Sequence, residues 1–110
     1  MKLPNAERVI ISESKIRDYL LSRSHPVGQS KARFFLGRGF TVENWRLLAD
    51  AISDIAAVNE VTGTEPSPFG MRYIIDARLR TPDGRNPLVR TVWFIDAGQE
   101  TPHFVTAFPR

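Results

Sequence analysis

The residues best placed to act on an anion cluster between Ser24 and Phe35, in the run Ser-His-Pro-Val-Gly-Gln-Ser-Lys-Ala-Arg-Phe-Phe. His25 is one of two histidines and sits on a turn that Pro26 and Gly28 constrain. Histidine is the side chain whose ordinary pKa suits proton transfer near neutrality. Lys31 falls in the first turn of the helix expected next, where a cation opposes the helix dipole at a cost of a few tenths of a kcal/mol. A cation so placed marks an anion site, because a helix N-terminus and an ammonium can hold one phosphate together. The plain alternatives are a local hydrogen bond for His25 and a solvated ammonium for Lys31. Arg33, two positions on, points elsewhere on the helix and is a secondary phosphate-binding candidate.

The second half of the chain supplies the remaining candidates. Arg90, Thr91 and Trp93 belong to one expected strand, with Arg90 on the face opposite Thr91 and Trp93. Arginine grips a phosphate bidentately, so Arg90 is a candidate, with an ordinary solvent-facing arginine as the alternative. Thr91 could orient the same phosphate. Thr106 is the one hydroxyl in an apolar strand, expected to share its face with Phe104 and Phe108. It could orient a phosphate or simply be a strand former. Arg80 and Arg85 flank an expected hairpin turn and would form a flexible phosphate-gripping rim. His103 is expected at an exposed strand start.

Several chemistries are excluded. With no cysteine there is no disulfide, thiolate metal site or cysteine nucleophile. No zinc- or calcium-ligand spacing appears, so no metal or other cofactor is expected. No carboxylate pair suggests glycosidase or aspartic chemistry, and Gly37-Arg38-Gly39 is too short for a nucleotide loop. The net charge of +3 favours an anionic partner. Five arginines (72, 78, 80, 85 and 90) fall on one expected hairpin against Asp76 and Asp83. No apolar run approaches the roughly 18 residues of a membrane span, and Met1–Asn5 carries no apolar signal core. Residues 1–110 fit a single domain.

The elements that must position these residues follow from periodicity. Arg8–Ile11 reads as a short first strand. Ser12 or Ser14 caps a helix from about Glu13 to Ser22, with Ile16, Tyr19 and Leu20 at helical spacing. His25-Pro26 stops it. Ser30 is the expected N-cap of a second helix, Lys31 to about Arg38, ended by Gly37 and Gly39. A third helix starts at Thr41 or Asn44 and runs to about Val58, with Trp45, Leu48, Ile52, Ile55 and Ala56 on one stripe. Glu60–Gly70 reads as a loop. The period then becomes two, giving strands over Met71–Arg80, Leu88–Asp96 and His103–Phe108. Helices first and strands after predict an α+β fold: about three N-terminal helices packed on one face of a small antiparallel sheet of three to four strands.

The motifs Lys15-x-x-x-Tyr19-Leu20-Leu21, His25-Pro26-x-Gly28-x-x-Lys31-Ala32-x-Phe34-Phe35, Val92-Trp93 and Pro102-x-x-Val105-Thr106-x-x-Pro109 resemble an uncharacterised family of short bacterial proteins. The resemblance spans nearly the whole chain, and similar domains occur at the C-terminus of large polymorphic toxins. By arrangement the family looks similar to metal-independent ribonucleases of the barnase, colicin and RelE-like group. The resemblance implies RNA cleavage by ribose 2′-hydroxyl attack, in the cytoplasm or after delivery within a larger toxin. It also implies a cognate antitoxin or immunity protein as partner. On it, His25 does acid/base work, Lys31 and Arg90 stabilise phosphate charge, and Thr106 or Thr91 orients it. The glutamate–histidine pair of the best-known members is missing, which leaves the base unassigned. The alternative is a non-enzymatic RNA- or protein-binding module of a toxin–antitoxin or immunity system.

Overall fold

The structure, a computed structural model, describes residues 1–110. A 3-10 turn, Ala6–Arg8, leads to the first helix, α1. This helix starts as an α turn, Glu13–Lys15, and widens into a π turn, Ile16–Leu20. Ser12 caps it, its hydroxyl accepting from the Lys15 amide at 3.2 Å. The π register is closed by the Leu21 amide donating to the Ile16 carbonyl at 2.9 Å. Helix α2 spans Gln29–Gly37 and α3 spans Trp45–Val58. Four strands follow: β1 Gly63–Ser67, β2 Gly70–Arg78, β3 Leu88–Asp96 and β4 His103–Pro109. They pair antiparallel in chain order, β1-β2-β3-β4.

The α+β arrangement matches the pattern of helix-period residues first and alternating residues after. Leu48, Ile52 and Ile55 of α3, Ile16 and Leu20 of α1 and Phe35 of α2 form the helical side of the core. They meet Tyr73, Ile75, Ala77, Val89, Trp93, Phe104 and Ala107, which alternate along the strands and line one sheet face. Apolar burial on that face is what holds the two layers together.

Several local expectations give way. Arg8–Ile11 is not a strand: only Ile10 bridges to the sheet, bonding Pro102 and the Phe104 amide. Glu60–Gly70 is not all loop, since Gly63–Ser67 forms β1 despite Pro66. An edge strand tolerates proline because one side of its ladder is unpaired. Ser30 does not cap α2. The helix begins two residues before Lys31, at Gln29, and the position before it is Gly28.

The largest register effect lies in β4. Val92 pairs with Thr106 and Trp93 with Phe104, which leaves Val105 as the extra residue of a bulge. A bulge reverses the alternation beyond it. Phe104 therefore packs into the helix-facing core against Trp93, whereas Thr106 shares the opposite face with Phe108 rather than with Phe104. β4 is the edge strand beside α1 and α2.

Candidate functional site

Three of the four leading candidates converge, and they do so around a residue that carried no functional role in the sequence reading. The phenol of Tyr19 lies 3.1 Å from the Thr106 hydroxyl, with either oxygen able to donate. The His25 ring meets Tyr19 edge-on, with centroids 5.0 Å apart. The ammonium groups of Lys31 and Lys15 each sit 5.5 Å from the centre of the Tyr19 ring. A cation at that range is attracted to the ring face. Lys15 and Tyr19 are four residues apart and so share one face of α1. That spacing was visible in the motif, but nothing in one sequence tied it to a strand 87 residues away.

The turn joining α1 to α2 explains the convergence. The Val27 and Gly28 amides donate to Nδ1 of His25 at 3.0 and 2.9 Å. The Gln29 amide donates to the His25 carbonyl at 3.0 Å. His25 thus does the capping work expected of Ser30. Gly28 is buried, and a β-carbon there would overlap the Tyr19 carbonyl and stand 2.9 Å from its Cδ1. Only glycine lets the turn press onto Tyr19. Because Nδ1 accepts two amide hydrogens, the imidazole proton sits on Nε2. His25 can offer that N–H to an anion, but its lone pair is occupied. The proton-shuttling role expected of it does not fit this geometry.

Burial pushes the Tyr19 phenol up, but hydrogen bonding to Thr106 and to Lys31, with the charges of Lys31 and Lys15, outweighs it. The net result is a phenol more acidic than an ordinary tyrosine. Beside Lys31 an open cleft of about 430 Å³ runs between α2 and the end of β4, lined by Ser30, Lys31, Phe108 and Pro109. It gives a ligand held by the lysine room to extend.

The other candidates lie apart. Arg90 shares the sheet face of Thr106, because its partner Phe108 is on that face. Its guanidinium, however, is bound by Asp76, with Nε and Nη2 donating at 2.8 and 3.0 Å. Arg110 reaches the same carboxylate at 3.1 Å. Hydrogen bonding to Arg90 depresses the Asp76 pKa most; desolvation opposes it, and Arg110 adds to the lowering. Arg90 is therefore a committed ion-pair partner rather than a free phosphate ligand.

Thr91 is fully buried on the core face. Its hydroxyl donates to the Ile75 carbonyl at 2.9 Å and accepts the Trp93 indole N–H at 2.9 Å. It satisfies core polar groups and cannot touch a phosphate. Arg80 pairs with Asp54 of α3 at 2.9 Å, and Arg85 lies 3.8 Å from Asp83. The turn that carries them is pinned rather than flexible. The Thr81 hydroxyl donates to Asp83 at 2.6 Å, and the Thr81 amide donates to the Asn86 side chain at 3.0 Å. Arg33 lines a separate cleft of about 330 Å³ with Arg23, Gln29, Leu36 and Gly37. No cluster of three or more histidine, aspartate and glutamate side chains is arranged as metal ligands.

The fold and site together define a class: an α+β domain of helices followed by an antiparallel sheet, with a cationic phenol–hydroxyl cluster beside its β4 edge. A family model described as "Domain of unknown function (DUF6883)" matches residues 2–110, and the chain belongs to that family. No curated protein matches it. A solved structure of a contact-dependent growth inhibition toxin–immunity protein complex from Klebsiella pneumoniae 342 contains a chain of similar fold. The TM-score is 0.71 at 17% identity, over 92% of this chain and 99% of that one. At that identity the likeness is one of fold.

Proposed function

We propose that this chain is the toxic member of a toxin–immunity pair, a metal-independent ribonuclease-like domain that cuts RNA by 2′-hydroxyl attack. The observation that carries the reading is the convergence of His25, Lys31 and Thr106 on Tyr19. In such a reaction the 2′-oxygen bonds to phosphorus, a five-coordinate phosphorane forms, and the bond to the 5′-oxygen breaks. Charge builds on the phosphoryl oxygens, and fixed donors aimed there lower the barrier. Lys31 supplies the cation and His25 its Nε2–H, while Thr106 holds the Tyr19 oxygen beside the phosphate. The similar fold in a toxin–immunity complex supports the setting. A chain that cuts RNA in its own cytoplasm needs an inhibitor, and an acidic surface would complement Lys15 and Lys31.

The test is incubation of the purified chain with tRNA or total RNA in EDTA. Cleavage is expected, and Lys31→Met lowers its rate by about 10²-fold or more. An inert wild-type chain overturns the enzymatic reading. A second reading then stands, a non-enzymatic binding module. It draws on Ile74, Phe94 and Phe108, which stay partly exposed on the sheet face turned away from the helices, among Arg72, Arg78 and Arg90.

A further inference from the structure

The ribonuclease reading leaves one role empty. Something must take the proton of the attacking 2′-hydroxyl, and His25 cannot, because two backbone amides occupy its free lone pair. The oxygen at the centre of the cluster belongs to Tyr19. We propose, resting on that reading, that Tyr19 is the general base and that Lys31 is the acid facing it.

The geometry supplies each requirement. The Tyr19 hydroxyl is within 3.1 Å of Thr106, so it can hand its proton along that bond or receive one from a ribose hydroxyl seated beside it. Every ionisable group facing it is either cationic or a donor. Lys15 approaches from α1, Lys31 from α2 and His25 from the intervening turn, while β4 brings only the neutral Thr106. That environment stabilises a phenolate, in line with the lowered pKa of this phenol. No carboxylate is hydrogen-bonded to the cluster to take the role instead. In the step, the phenolate takes the 2′-hydroxyl proton as the 2′-oxygen–phosphorus bond forms. The phosphorus–5′-oxygen bond breaks, and a proton of the Lys31 ammonium goes to the 5′-oxygen. Tyr19 ends protonated and Lys31 neutral, and exchange with water restores both.

The experiment is the pH–rate profile of RNA cleavage in EDTA for wild type, Tyr19→Phe, Thr106→Val and a chain carrying difluorotyrosine at position 19. Wild-type rate is expected to climb with pH and level off below pH 10. Tyr19→Phe should lose about 10²–10⁴-fold. Difluorotyrosine has a more acidic phenol, so it should move the inflection to lower pH, which a merely structural role would not do. Thr106→Val should keep an inflection, at higher pH, because the phenolate loses a donor. If wild type cleaves, Lys31→Met is impaired, and the profile is unmoved by difluorotyrosine, the base assignment is overturned while the ribonuclease reading stands. If wild type does not cleave at all, the reading falls and this inference with it.

Discussion

At the residue scale, the account turns on which lone pairs and protons are free. His25 was legible in the sequence as a special position, but its role was not. The motif shows a histidine before Pro26 and Gly28, whereas only coordinates show Nδ1 bound to two amides. His25→Asn tests the distinction, since an asparagine oxygen can accept the same amides while its shorter side chain cannot carry a donor to the place of the imidazole Nε2–H. The melting temperature should stay near wild type while the cleavage rate falls about tenfold, the loss of one hydrogen bond to a charged group. His25→Ala should lose both. A strand pattern gives the face of a side chain but not its partner, so neither the Asp76 pairing of Arg90 nor the buried hydrogen bonds of Thr91 were legible in the sequence. Asp76 explains Arg90, and its depressed pKa fixes the sign of a pH effect. A carboxylate whose folded pKa is lowered stabilises the fold above its unfolded value and ceases to as pH falls through the folded one. Asp76→Asn should therefore lower the melting temperature by a few degrees at pH 7. The gap to wild type should close below about pH 4, as measured by circular dichroism melts across pH.

At the element scale, the third helix and the two central strands were readable because their apolar period is long and unbroken. The π turn of the first helix, the start of the second and the β1 strand were not. A π turn, a histidine cap and a proline-bearing edge strand are each set by tertiary neighbours. The β4 bulge matters most for the site. Counting by twos puts Thr106 with Phe104, and one extra residue moves it to the other face. Gly28 is the hinge between sequence and site. Gly28→Ala should destabilise by about 1–3 kcal/mol through the overlap with Tyr19. It should also depress cleavage beyond what unfolding explains, as urea titration and rate measured together would show. Thr91→Val offers the contrast. It strips the Trp93 indole of its acceptor and should cost about 1–3 kcal/mol. The rate of the folded fraction should remain unchanged, because Thr91 touches no substrate.

At the scale of the whole molecule, composition favours an anionic partner, and periodicity foretold helices on an antiparallel sheet. Neither could say which cations stay available. Most of the hairpin arginines are paired, to Glu65, Asp54, Asp83 and Asp76. The lysines over Tyr19 belong to the helices instead. Under the proposed ribonuclease reading, the cations that meet RNA are therefore the lysines of α1 and α2 rather than the paired arginines of the β2–β3 hairpin. The most direct test is the chemistry of the ends left when the purified chain cuts a defined RNA in EDTA. The account predicts a cyclic 2′,3′-phosphate or its 3′-phosphate product facing a 5′-hydroxyl, lost together in Lys31→Met with the fold intact. RNA left whole by the wild-type chain, or cut to leave 5′-phosphates, contradicts it.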